Sequence, residues 1–189
     1  MIDADEIAVI LLAAGRSQRF GETDKLSVPL GGRPLALHAA ERAVELGAGR
    51  RIAVCSGHGL VAVDLARRGF DVVINPHPER GLASSLAIGI GRAAESDAKA
   101  VLVLLADMPF VGTAHLRALL DRFDAKRAPV VASSRAGLPM PPALFGRAHF
   151  AALLASSGDE GGRALIRSAA LVAAEPDELA DIDRPADLP

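Results

Sequence analysis

The feature that most limits how this chain can fold is the run Ala-Val-Leu-Val-Leu-Leu-Ala at residues 100–106. Seven consecutive apolar residues with no alternation suit a strand buried on both faces, which requires a sheet covered by helices above and below. Shorter runs of the same kind occur at residues 7–12, 51–55, 71–75 and 129–132, with a further candidate around 171–174. Between them lie alanine- and leucine-rich stretches at 35–46, 60–68, 84–95, 113–123, 149–154 and 162–169, long enough for crossover helices. This alternation predicts an α/β chain with a doubly wound, mostly parallel sheet and 100–106 at its centre. Pro34 falls where a first-turn proline would open helix 35–46. Residues 136–146, rich in Gly and Pro, are expected to leave the sheet as a hairpin or loop excursion and to form a substrate lobe.

With 189 residues, half of them hydrophobic, the chain can bury one substantial core, so a single domain over 1–189 is expected. Lysine and arginine number 21 against 23 acidic residues. That balance gives no overall attraction to nucleic acid or to an anionic membrane, so phosphate binding must be local. Aromatics make up 3%, with no Trp or Tyr, which leaves no platform for stacking bases of a single strand. Residues 1–6 are acidic where a secretory signal is basic, and the apolar run at 7–14 is too short to cross a bilayer. Cys55 is the only cysteine, so an intramolecular disulfide is excluded and a reducing, cytoplasmic setting is expected, with neither nucleic acid nor membrane as partner.

In open α/β sheets ligands sit beyond the carboxyl ends of the strands, and two such places carry chemistry here. After the first strand comes Ala13-Ala14-Gly15-Arg16-Ser17-Gln18-Arg19-Phe20-Gly21, followed by Lys25. Small residues let the main chain approach a ligand, and three cations within ten residues suit a triphosphate. The spacing fits neither the dinucleotide fingerprint nor the Walker pattern, and an ordinary glycine turn with solvated cations is the alternative. After the central run comes Asp107-Met108-Pro109. A lone carboxylate at the sheet rim suits Mg²⁺ held jointly with substrate phosphates; alternatively it caps the helix near Thr113 or stabilises a turn. The five histidines show no paired metal-ligand spacing and receive no chemical role, and Cys55 reads as a small buried hydrophobe.

Taken together, the two segments resemble the MobA-like nucleotidyltransferases, the molybdenum cofactor guanylyl- and cytidylyltransferases and their relatives. These share an N-terminal signature of the type L-x-A-G-x-S-x-R-[MF]-G-x-x-K. Further matches follow in family order over nearly the whole chain: Pro29-Leu30-x-Gly32-x-Pro34-Leu35, Asn75-Pro76, Gly81-x-x-Ser84-Ser85-Leu86-x-x-Gly89, Asp107-Met108-Pro109, Pro142-Ala143-Leu144-Phe145, Gly158-Asp159-x-Gly161-x-Arg163 and Asp181-Ile182-Asp183-x-Pro185-x-Asp187-Leu188. The resemblance implies a Rossmann-like nucleotidyltransferase fold and a residue-by-residue assignment. Leu12, Ala13, Ala14 and Gly15 meet the nucleotide, and Arg16 and Lys25 neutralise its phosphates. Asn75 and Ser85 lie near it, Gly81 permits close approach, and Asp107 holds Mg²⁺. Asp183 is a second metal carboxylate or the start of a helix, and both readings stay open. Pro142, Asp159, Gly161 and Arg163 face the acceptor.

On this resemblance the reaction is nucleotidyl transfer from an NTP to the phosphate of a molybdopterin-type acceptor, with pyrophosphate leaving. The Ala13-Ala14-Gly15 version of the first loop favours CTP over GTP. The chain departs from the family at Met140, Glu160 and Gly162, on the acceptor side. Two other readings therefore stand beside the first: a non-catalytic cofactor chaperone or insertion factor partnered with a molybdoenzyme, and transfer to another phosphorylated metabolite. The sugar-nucleotide signature Gly-Gly-x-Gly-x-Arg-Leu is absent.

Overall fold

The computed structural model describes residues 1–15, 20, 24–155, 162–175 and 177–188. In chain order the elements are β1 (Ile7–Ala13), β2 (Pro29–Leu30), β3 (Arg33–Pro34), α1 (Ala36–Leu46), β4 (Arg50–Cys55), α2 (Leu60–Arg67), β5 (Asp71–Ile74), α3 (Leu82–Ala94), β6 (Ala100–Leu105), α4 (Thr113–Arg122), β7 (Val130–Arg135), β8 (Leu138–Gly146), α5 (Phe150–Leu154), α6 (Arg163–Ile166) and β9 (Ala170–Ala173). The main sheet runs β5-β4-β1-β6-β8-β7-β9. Six of its strands are parallel, and β8 alone runs against its neighbours. β6 is the central strand, as its unbroken apolar run predicts.

Helices cover both faces because each central strand is apolar on both. Along β1, Val9 and Leu11 pack toward α1, α2 and α4 with Leu37, Leu65 and Leu116. Ala8, Ile10 and Leu12 pack on the opposite face toward α3, α5 and α6 with Leu86, Ile90, Leu153 and Ile166. The sheet is thus doubly wound. Strand order reverses between β1, which leads to β4, and β6, which returns on its other side. Such a switch point leaves a crevice at the carboxyl ends of the two strands, the place where open α/β sheets take ligands. Among the described residues, no helix is long and apolar enough to cross a membrane.

Two local expectations are corrected. Residues 136–146 do not leave the sheet; Leu138–Gly146 is an interior strand between β6 and β7. The glycine content marks a two-residue turn, with Ala136 at φ 51° and Gly137 at φ 78°, between the paired Arg135 and Leu138, as hairpins of this kind require. The prolines sit where the ladder is interrupted: pairing with β7 steps from Ala132↔Ala143 to Ser133↔Met140, and Pro141 and Pro142, which have no N–H to donate, fall in the gap. The hairpin part of the expectation holds; the departure from the sheet does not. Pro34, likewise, does not open a helix. It lies in β3 opposite Pro29, and α1 begins after Leu35.

The gap in the β7–β8 ladder is braced from below. The Ser133 hydroxyl donates to the Pro142 carbonyl at 2.8 Å, and His115 Nε2 lies 2.8 Å from the same hydroxyl. Since that hydroxyl's proton is used, the imidazole donates to it. Burial lowers the His115 pKa, partly opposed by the Glu178 carboxylate 4.0 Å from Nδ1.

Candidate active site

The end of β1 delivers Ala14 and Gly15 to the switch point, and a 3-10 turn at Lys25–Ser27 returns the chain beside it. The Asp24 carboxylate caps that turn by accepting from the Leu26 N–H at 3.1 Å, which orients Lys25 inward. The Lys25 Nζ donates to Asp107 Oδ2 at 2.8 Å and to Asp183 Oδ1 at 2.9 Å. Lys25 is buried, whereas the Asp183 side chain is 42% exposed. Burial opposes the Lys25 charge, but Asp107 and Asp183 outweigh it and hold the lysine pKa above its ordinary value.

The carboxylates reach this point by different routes. Asp107 follows β6 directly. Its side chain does not cap α4, whose N-terminal residue Gly112 has no side-chain cap; the carboxylate turns to Lys25 instead. The Asp107 carbonyl accepts from the Ile182 N–H at 2.9 Å, which pins the C-terminal segment and brings in Asp183. Asp187, rather than Asp183, serves the following turn: its carboxylate accepts from the N–H groups of Asp183 and Arg184 at 2.9 and 2.7 Å. The Asp183 carboxylate is directed to the Lys25 and Asp107 cluster.

The opposite wall is built from the segment between β5 and α3. Asn75, 1% exposed, donates through Nδ2 to the hydroxyls of Ser84 and Ser85, both at 2.9 Å, while its Oδ1 accepts from the His77 N–H at 2.8 Å. It clamps the turn that carries Ser84 and Ser85. Gly81 starts α3 at φ 84°, ψ −177°, a conformation essentially confined to glycine. Gly81→Ala is accordingly expected to cost about 1–3 kcal/mol, read as a lower denaturant midpoint; an unchanged midpoint would show that the turn relaxes without strain.

Two cavities open between these walls. One, of about 290 Å³, is lined by Leu12, Ala14, Gly15, Lys25, Gly81, Ser85 and Asp107, with Leu26, Pro78, Glu79, Leu82 and Leu105. The other, of about 410 Å³, is walled chiefly by apolar side chains of α3, β6 and β8, including Leu86, Val103, Met140 and Phe145, and carries Arg163, Arg167 and Asp181. Leu12, Leu82 and Leu105 belong to both, so the cavities form one cleft.

Most of the expected site residues converge here. Ala13 does not: it faces the other side of the sheet and lines a small cavity with Cys55 and Asp24. Burial raises the Cys55 pKa to about 11, with Asp24 adding to it, in keeping with an unreactive packed thiol. Arg163 lines the apolar cavity, but Pro142 does not; it packs on the opposite face near Leu104 and Leu116. Its neighbours Met140, Pro141 and Ala143 form the wall instead. Arg16, Ser17, Arg19, Gly21, Asp159, Glu160 and Gly161 lie outside the described residues. Sequence reasoning gave no role to Leu82, Leu105, Arg167 and Asp181, which also line the cleft. For Arg167 a signal existed, since it follows Arg163 at helical i,i+4 spacing; the leucines are indistinguishable from core.

The oxygen donors suit a hard divalent ion. Two carboxylates already share one cation, and such an ion is commonly held by one or two carboxylates completed by substrate phosphates. Among the described residues, no group of three or more His, Cys, Asp or Glu forms a closed metal set.

A switch-point crevice with a small-residue loop, a buried lysine and rim carboxylates defines the class of α/β nucleotidyltransferases. The MobA-like NTP transferase domain matches residues 9–175, and the chain belongs to that family. It is 29% identical over 191 residues to the purine catabolism protein PucB of Bacillus subtilis, a match covering 93% of this chain and 91% of PucB. It is 30% identical over 143 residues to a probable molybdenum cofactor guanylyltransferase of Haloferax mediterranei, covering 75% of this chain and 66% of that protein. A bifunctional GlmU of Novosphingobium aromaticivorans is 34% identical over 119 residues, covering 61% of this chain but only 26% of GlmU; the chain spans about a quarter of that relative's length. Among solved structures, Rv0371c of Mycobacterium tuberculosis superimposes with a TM-score of 0.81 at 28% identity, covering 99% of this chain and 96% of that one. Its complex with manganese gives 0.76 at 25% identity, covering 96% and 95%.

Proposed function

We propose that this nucleotidyltransferase moves a nucleoside monophosphate from an NTP, with CTP preferred to GTP, to the phosphate of a molybdopterin-type acceptor, with Mg²⁺ as its metal. The observation that carries this reading is the continuity of the two cavities. A nucleotide in the first and an acceptor in the second meet across Leu12, Leu82 and Leu105, beside Asp107. An acceptor phosphate oxygen bonds to the α-phosphorus, the bond from that phosphorus to the bridging oxygen breaks, and pyrophosphate departs. A phosphate monoester is already ionised at neutral pH, so no general base is needed.

Positioning and charge then supply the catalysis. Lys25, with Arg16 as its expected companion, offsets the phosphate charge, and Gly15 and Gly81 leave room for the triphosphate to lie against the main chain. Mg²⁺ held by Asp107 and Asp183 would add neutralisation and Lewis-acid polarisation of phosphoryl oxygens. The manganese complex of Rv0371c supports a divalent ion in this family. The apolar walls of the second cavity suit the faces of a flat acceptor ring, whose polar edge would need partners such as Arg163, Arg167 and Asp181. Arg163 and Arg167 are available to its phosphate. The Ala14 methyl in the nucleotide cavity favours the smaller base.

Pyrophosphate release with each of the four NTPs, against molybdopterin, a sugar phosphate and a polyol phosphate, tests the proposal. CTP with molybdopterin is expected to turn over fastest. Equal or better use of GTP overturns the nucleotide choice. Turnover confined to a sugar or polyol phosphate overturns the acceptor, and molybdopterin binding without pyrophosphate from any NTP points to a cofactor carrier.

A further inference from the structure

We infer that Lys25 is a placeholder cation, its ammonium filling the metal seat between Asp107 and Asp183 until the triphosphate draws it away, so that a divalent ion is admitted with the nucleotide and resisted without it. The inference rests on the proposed reading of the cleft as a nucleotide and metal site, and it deepens that reading.

The geometry carries it. The Lys25 nitrogen stands 2.8 Å from one oxygen of Asp107 and 2.9 Å from one of Asp183. A divalent ion held by these two carboxylates would need nearly the same space, because Mg²⁺ binds oxygen at about 2.0–2.1 Å. Lysine and ion cannot both occupy it. Charge makes the ammonium a good temporary occupant. Without it, two carboxylates would face each other across a partly enclosed space, an arrangement that disfavours ionising both. With it, each has a charge-assisted hydrogen bond.

The same side chain is able to leave. Lys25 also lines the nucleotide cavity with Ala14, Gly15 and Ser85, so phosphates arriving there offer the ammonium a second anionic partner within reach of its flexible stem. When it swings to them, the carboxylates lose one positive charge, which a divalent ion more than restores. Metal and nucleotide therefore assist each other's binding, and that coupling is reciprocal. A metal bound alone must displace or repel the lysine.

The test measures Mn²⁺ binding by the amplitude of its free-ion paramagnetic resonance signal, which requires neither acceptor nor turnover. Lys25→Met keeps the stem and removes the charge. Lys25→Gln is the second variant should the first fail to unfold cooperatively. Without nucleotide, either neutral variant is expected to bind Mn²⁺ at least about tenfold more tightly than the unaltered protein, because a like charge has left the seat. Adding Asp183→Asn to Lys25→Met is expected to abolish the gain. Equal or weaker Mn²⁺ binding in the neutral variants overturns the placeholder role, as does a gain that survives Asp183→Asn. In the unaltered protein, a non-hydrolysable CTP or GTP analogue is expected to tighten Mn²⁺ binding by at least about tenfold. If neither analogue binds while the neutral variants still gain affinity for the metal, the nucleotide reading fails and the occupied seat stands.

Discussion

Asp107→Ala is expected to reduce pyrophosphate release by about three orders of magnitude while the protein still unfolds cooperatively. Asp107 is the one rim carboxylate that follows the central strand directly, and it lines the cavity proposed for the nucleotide within hydrogen-bond distance of Lys25. Losing about 4 kcal/mol of transition-state charge stabilisation corresponds to that loss in rate. Folding should survive because Lys25 retains Asp183 and the main-chain bond from the Ile182 N–H to the residue 107 carbonyl does not depend on the side chain. Asp107→Asn keeps the shape but not the charge and is expected to lose nearly as much activity. Turnover within tenfold of the parent, in a variant with an unchanged melting profile, would remove Asp107 from the machinery.

Phe145→Ala is expected to destabilise the fold by about 3–5 kcal/mol. Phe145 is 1% exposed, stands on β8 in the face covered by α3, α5 and α6, and forms part of the apolar cavity wall. At roughly 2–4 °C per kcal/mol for a chain of this length, the melting temperature should fall by about 6–20 °C. Phe145→Leu should cost clearly less, because it leaves a smaller void. Denaturant unfolding of the two variants checks this; a loss below about 1 kcal/mol for the alanine would mean that α6 and α5 collapse into the space. The same ring crowds Gly162: a Cβ there would approach the Phe145 Cζ to 3.0 Å and Leu153 Cδ2 to 3.5 Å, so an alanine at 162 would require the ring to shift.

The fold was legible wherever a single strand announced its own burial. The unbroken run at 100–106 required two covered faces and a central place, and β6 has both. The short β9 and α6 were also approachable from local pattern. β8 was not, because Gly and Pro signal interruption without saying whether the strand ends or merely skips; the partner strand decides that, and here β7 resumes pairing at Ser133↔Met140. In the site, Lys25 and Asp107 stood out as charges beside apolar runs. Their mutual contact did not, since the pair is 82 residues apart in sequence. Asp183 was undecided for the same reason: a short Asp-x-Pro-x-Asp stretch suits a turn or a ligand, and its place beside Lys25 depends on the main-chain bond from Ile182 to Asp107, which no local pattern announces. Leu82 and Leu105 carry no local signal that sets them apart, and their place beside Leu12 at the junction of two cavities is a product of tertiary packing.

The lone reversed strand has a consequence for how such a protein can diversify. Because β8 runs against its neighbours, its first residues, Leu138 to Pro141, arrive at the rim where the parallel strands end, while Gly146 lies at the far edge beside Ala100. Its pairing with β6 reaches only Val103↔Ala143, so the last turn of that border is unstitched and the sheet parts there. Substitutions in the hairpin can then recut the larger, apolar cavity without disturbing β1, β4 or the lysine and its carboxylates. One half of the sheet can hold its geometry fixed while the other varies.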